Sequence, residues 1–271
     1  MNPTRQLTEE WFDLSCGQVL VRTNRLAVVQ TEMPLVLVHG LVVSGRYLLP
    51  TANLFSGITK VVVPDLPGYG KSKQPGRVAG PGGLAAALVE LMDAMHLDRA
   101  HFLGNSYGCQ ILTELAICHP NRVARLVFVG PSVDPRHRTV ISQFLRLLQT
   151  APYENAKLPP LVAWEYLIAG PRRIAATLRH CFDHKVEHRL PEVHVPVLVV
   201  RGSCDAIVPQ RWAEEIVDRL PDGQLQVMRG AGHAPNFSQP RELASRVAPF
   251  FGWPRSALAA QGGTESFDLI H

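Results

Sequence analysis

A chain of 271 residues, 46% hydrophobic and 18% charged, can bury one large core and is too apolar to remain disordered. Its net charge of +4 is mild and its Lys and Arg are scattered, which argues against a phosphate-tracking nucleic-acid surface. No apolar run reaches the length of a membrane span. Five widely spaced cysteines, Cys16, Cys109, Cys118, Cys181 and Cys204, contain no C-x-x-C pair, so a reduced, cytoplasmic setting is expected.

In chain order, Met1 to Asp13 alternates polar and charged residues without the apolar core of a signal peptide. Val19 to Val21 and Ala27 to Val29 flank Arg22-Thr23-Asn24-Arg25 and predict an opening antiparallel hairpin. Apolar runs at Leu35 to His39, Lys60 to Val63, Ala100 to Leu103, Arg125 to Val129 and Val195 to Val200 predict buried central strands, with Leu225 to Met228 as a final one. Helical spacing recurs at Leu84 to Met95, Ile111 to Ile117, Trp212 to Leu220 and Leu243 to Phe251. The Gly-rich stretch Gln74 to Gly83 reads as a mobile loop, and a frayed tail is expected after Gly252.

Strands alternating with helices predict an α/β fold with a mostly parallel central sheet flanked by helices. The strand rhythm lapses between Pro131 and Pro191, where Val140 to Leu148, Leu161 to Ala169 and Ile174 to His188 have helical spacing, and an inserted helical cap is expected there. The organisation is thus core over 1–130, cap over 131–190, core again over 191–253 and tail over 254–271.

Gly104-Asn105-Ser106-Tyr107-Gly108 follows a strand and opens a helix, the setting in which G-x-S-x-G lifts a nucleophilic serine on a sharp turn. A serine hydroxyl needs a base, and the base needs an orienting partner. Asp205 lies on the loop leaving the Val197 to Arg201 strand, and His233 lies on Gly230-Ala231-Gly232-His233 beyond the last strand. The chain order Ser, Asp, His completes a candidate catalytic set of Ser106, Asp205 and His233. Asp134, after another strand, is an alternative acid.

With these motifs, the His39-Gly40 turn and Asp65-Leu66-Pro67-Gly68-Tyr69-Gly70-Lys71-Ser72, the chain resembles the α/β-hydrolase fold serine hydrolases from Val19 to about Gly252. The resemblance implies an oxyanion hole from the Leu41 and Tyr107 N–H groups, with Val42 as substitute for Leu41. It also implies a His39 that braces its loop and no cofactor.

Other motifs are weaker. Gly68 to Ser72 ends like a Walker A loop, but Asp65 stands where that loop needs glycine, and the third position of a dinucleotide G-x-G-x-x-G is Lys73. His180, His184 and His188 recur every four residues, a spacing that a polar helix face explains as well as a metal does; no metal is expected. Cys109 reads as helix packing, not a second nucleophile.

The expected reaction is hydrolysis of a carboxylic ester, thioester or lactone of a small to medium, largely apolar molecule. Trp164 and Tyr166 are expected to line its pocket, with Arg172 or Arg173 as the place to look for an acidic anchor, and Arg172 taken as substrate-binding. Carbon–carbon hydrolysis of diketo acids is the alternative, weakened by Ala234-Pro235 after His233 where such enzymes commonly carry a tryptophan; a ligand receptor on the same fold is another. The expected partner is a small-molecule substrate, without nucleic acid or membrane, and homodimerisation stays open.

Overall fold

The computed structural model describes residues 7–24, 33–73 and 76–259. Its centre is an eight-stranded sheet made of Leu7–Leu14 (β1), Gly17–Asn24 (β2), Leu35–Val38 (β3), Val61–Pro64 (β4), Ala100–Asn105 (β5), Val123–Val129 (β6), Val197–Gly202 (β7) and Gly223–Met228 (β8). The strands lie in the order β1-β2-β4-β3-β5-β6-β7-β8. β2 runs antiparallel to both neighbours, and every pairing from β4 to β8 is parallel.

Helices fill the connections. Leu49–Phe55 (α1) follows β3, Pro81–Ala94 (α2) precedes β5 and Tyr107–Cys118 (α3) links β5 to β6. Val140–Thr150 (α4), Leu158–Asp183 (α5) and Val186–Arg189 (α6) form the insertion between β6 and β7. Gln210–Arg219 (α7) precedes β8, and Pro235–Ser238 (α8), Pro240–Val247 (α9) and Ser256–Ala259 (α10) follow it.

The central strands are mainly apolar because both of their faces are covered. On one face Val36, Val38, Phe102 and Phe128 pack with Leu88 of α2, Ile111 of α3 and Trp212 of α7. On the other, Leu35, Leu37, Leu103 and Val127 pack with Phe55 of α1, Leu243 of α9 and Trp253. From β3 the chain passes to β4 on one side, and from β4 it crosses to β5 on the other. The carboxyl ends of β3 and β5 therefore flank the crevice where open α/β sheets bind ligands.

The opening hairpin differs from expectation. Its arms are β1 and β2, and Arg22, Thr23 and Asn24 belong to the second arm, not the turn. Ala27 to Val29 lies outside the described residues. Side-chain partners explain the polar end of β2: Arg22 Nη1 donates to Asp65 Oδ1 at 2.7 Å, and Asn24 Nδ2 donates to the Ser56 and Thr59 carbonyls.

Three other boundaries also shift. α2 begins at Pro81, inside the expected loop, because proline at the first helical position lacks only an N–H that would be unpaired anyway. The expected second and third cap helices join as α5 across a kink at Gly170, φ 72°, followed by Pro171. The tail is ordered as far as α10, with Trp253 and Leu258 buried against the core, and residues 260–271 lie outside the described set. Among the described residues no helix is long and apolar enough to cross a membrane.

Candidate active site

Ser106 stands between β5 and α3 with φ 55° and ψ −117°, a left-handed, strained backbone for a residue with a side chain. The turn is possible because α3 starts close against β3: a Cβ at Gly108 would lie 2.6 Å from the Val38 carbonyl oxygen. The Ser106 N–H donates to the Val129 carbonyl at 2.9 Å, which ties the turn to β6. With α3 beginning at Tyr107, the positive end of the helix dipole lies beside the hydroxyl.

Asp205 and His233 meet. The His233 Nδ1–H donates to Asp205 Oδ2 at 2.8 Å, a tautomer fixed because an ionised carboxylate only accepts, and Nε2 is left for another partner. Asp205 is buried, and its other oxygen accepts the Ile207 and Val208 N–H groups at 2.8 and 3.1 Å. Burial alone would push the imidazole pKa down, but the Asp205 charge and hydrogen bond, with the Glu154 charge, outweigh it and raise His233 above the ordinary value.

Residues without a sequence signal hold this pair. Arg201 donates to the Val208 and Asp205 carbonyls at 2.6 and 3.2 Å and so braces the acid loop. Asn105 donates to the Val129 and His233 carbonyls at 3.0 and 3.1 Å and accepts the Tyr47 hydroxyl at 2.8 Å, joining the serine turn to the histidine loop. Glu154, in the insertion, accepts the Ala234 N–H at 2.9 Å. Ser132, past the end of β6, has its hydroxyl 3.2 Å from that of Ser106. At Gly130, φ 55°, a Cβ would lie 3.0 Å from His233 Nδ1.

The expected oxyanion donors sit beside committed neighbours. The Gly40 N–H donates to the Tyr47 hydroxyl at 2.7 Å and the Ser106 N–H is spent on β6, so neither can serve an oxyanion. Leu41 and Tyr107 are the next residues along each segment, and Val42 has φ 58°. His39 is structural as expected: Nε2 accepts the Leu66 N–H at 2.9 Å, Nδ1 lies 3.0 Å from the Gly40 carbonyl, and burial pushes its pKa to about 4.

The alternatives disperse. Asp134 is buried against Arg211 at 2.8 Å and the Arg136 N–H at 3.0 Å, whereas Asp205 holds the imidazole. His180 faces the Val78 carbonyl, His184 bonds Glu114 at 2.9 Å, and His188 is exposed. Burial pushes the Cys109 thiol up, and it donates to the Gly104 carbonyl.

Two expected substrate residues lie at the surface. Trp164 and Arg172 are exposed, because on α5 their neighbours Glu165 and Arg173 take the inward positions one residue, and about 100° of helix, away. Tyr166 is half-buried, and burial pushes its phenol up to about 12.

Residues 35–246 match the family model described as "Alpha/beta hydrolase family". The chain belongs to this family. Among curated relatives, the hydrolase is 28% identical over 249 residues to "Putative carbamate hydrolase RutD" of Agrobacterium fabrum, covering 81% of this chain and 93% of that one. The Stutzerimonas stutzeri protein of the same name is 26% identical over 231 residues, covering 75% and 86%. Among solved structures, a thermophilic esterase from Thermogutta terrifontis superposes on this hydrolase with a TM-score of 0.75 at 21% identity, covering 90% and 98%. Carboxylesterase CesB from Bacillus subtilis gives 0.72 at 20%, covering 91% and 92%.

Proposed function

We propose that this hydrolase is a serine esterase that cleaves a carboxylic ester, thioester or lactone through an acyl-enzyme, with Ser106 as nucleophile, His233 as base and Asp205 as orienting acid. The bond from His233 Nδ1 to the buried Asp205 carries the reading, since it fixes the imidazole with Nε2 as the basic nitrogen at the sheet edge that also bears Ser106.

In the proposed reaction His233 Nε2 takes the Ser106 proton as Oγ attacks the carbonyl carbon, and Asp205 stabilises the imidazolium. Leu41 and Tyr107 N–H groups hold the oxyanion. The imidazolium returns its proton to the leaving group, and the cycle repeats with water to release the acid. The insertion acts as a cap over the substrate. The carbamate named for the relatives presents the same kind of carbonyl and asks for the same parts.

The test is mass spectrometry after exposure to an organophosphonate, with Ser106→Ala as control. A label confined to the peptide containing Ser106, together with turnover of p-nitrophenyl esters that Ser106→Ala lacks, supports the assignment. A label elsewhere, or unchanged turnover in Ser106→Ala, refutes it.

A further inference from the structure

Arg173 sits on α5, on the side turned toward the core, and is only 5% exposed. A guanidinium stays charged at any pH a protein tolerates, and a buried cation without a counter-charge is among the costliest groups a fold can hold. Among the described residues it nevertheless has no carboxylate partner, and its Nη2 is buried without a hydrogen bond. Its contacts are with the loop after β4: the guanidinium lies against Gly68, and its carbon is 5.6 Å from the centre of the Tyr69 ring. The closest acid earlier on α5, Glu165, is occupied in accepting the Ser44 hydroxyl.

This unmatched charge is connected to Ser106 by a short series of contacts. The Tyr69 ring meets the edge of the His39 ring at 5.4 Å, and a Cβ at the next residue, Gly40, would lie 3.3 Å from the Ser106 Cβ. Two more buried polar atoms lack partners, the Tyr107 hydroxyl and Gln110 Oε1. Gln110 donates to the carbonyl of Ser132, whose hydroxyl faces Ser106. A planar guanidinium whose Nη2 lacks a partner suits a carboxylate, which can accept two parallel N–H bonds and neutralise the charge, whereas an ammonium is repelled and a neutral acceptor leaves the charge unmatched.

We infer that Arg173 is the anion-binding residue of the site and that the preferred substrates carry a free carboxylate on the acyl part, held under α5 while Ser106 attacks the ester carbonyl. The inference rests on the serine hydrolase reading and names the substrate class for the same site. It moves the basic anchor from exposed Arg172 to Arg173.

Two acyl esters of equal carbon count, mono-p-nitrophenyl glutarate and p-nitrophenyl pentanoate, differ in the terminal carboxylate. The wild type should favour the glutarate, and Arg173→Met should lower its kcat/KM roughly 10- to 100-fold, mainly through KM, as expected when a charged hydrogen bond is removed. The pentanoate should change less than about 3-fold. Arg173→Lys, keeping charge but losing the fork, should fall between, and Arg179→Met, an exposed cap arginine, should match the wild type.

A second measurement needs no turnover. Free glutarate should raise the melting temperature of the wild type and not of Arg173→Met, which should itself melt no lower than wild type once an unpaired buried charge is gone. Equal losses on both esters, or a glutarate shift that survives in Arg173→Met, overturns the inference in favour of a purely structural arginine; should Arg173→Met not fold, Arg173→Lys decides by the same two criteria. If neither ester turns over and no phosphonate label forms, the hydrolase reading has failed, while a glutarate shift dependent on Arg173 still upholds the anion site.

Discussion

Glu154 reaches from the insertion to the loop of His233, and its charge helps raise the imidazole pKa. A neutral imidazole is the form that accepts a proton, so activity should be lost as pH falls through the His233 pKa. An anion beside the ring favours the imidazolium; Glu154→Gln should therefore lower that pKa and move the acid limb of kcat/KM to lower pH. A limb that stays put or moves upward in the pH–rate profile contradicts this coupling. Replacing His233 by Ala should lower kcat by about 10⁴ or more, and adding Ser106→Ala should cost little further, since the members of such a set act together. Strict additivity of the two losses speaks against a shared step. At this scale the candidate set Ser106, Asp205 and His233 is legible as a pattern because each stands among glycines or at a strand end in a fixed order, and the structure pairs two of its members, Asp205 and His233. Asn105, Ser132, Arg201 and Glu154 were not, because they are ordinary polar residues whose partners are visible only in three dimensions, 128 residues away in the case of Asn105 and His233.

The segment Asp65 to Ser72 shows what the sequence motif is for at the level of elements. Asp65 is fully buried, with Arg22 Nη1 at 2.7 Å and the Gly45 and Lys71 N–H groups at 2.8 and 3.0 Å. Ser72 donates to the Asp65 carbonyl and accepts the Leu20 N–H, so the loop after β4 is tied to β2. Asp65→Ala would strand the buried Arg22 and should cost about 3–5 kcal/mol, read from the urea midpoint. A loss below about 1 kcal/mol would mean that Arg22 finds another partner, with Glu9 at 3.3 Å the nearest at hand. The same contacts explain why the central strands were readable and the first hairpin was not. β3 to β7 are written mainly in buried apolar residues, whereas β1 is an edge strand that buries little besides Leu14, and β2 ends in polar residues satisfied from other elements. Periodicity reports burial, and an edge strand held by backbone bonds carries little of it.

For the whole molecule, two buried histidines shape the response to acid. His39 and His101 are held at about 4 by burial, so between about pH 6.5 and 4 each takes up a proton when unfolded and resists it when folded. Stability should fall across that window, by up to about 3 kcal/mol per residue at its lower end. Glu114, Asp134 and Glu187 act in the same direction at lower pH: each is held below its usual value, burial being outweighed by arginine partners, and the stabilisation they give above about 4.5 is lost as they protonate. His233, raised, works the other way. Urea midpoints at pH 7, 5 and 4 measure the slope, and His101→Phe, in a site where the imidazole already stacks on Phe251 at 4.7 Å, should flatten it. An identical slope in that variant would place the acid sensitivity elsewhere.

The bare backbone of Gly130 belongs to the same setting as the imidazole it adjoins. Any larger residue there would be at fault twice, in a backbone angle that side chains dislike and in a methyl group pressed on the ring nitrogen that Asp205 holds. A random-mutagenesis survey scored by turnover should come back barren at 130, a position that owns no reactive atom and supplies only room.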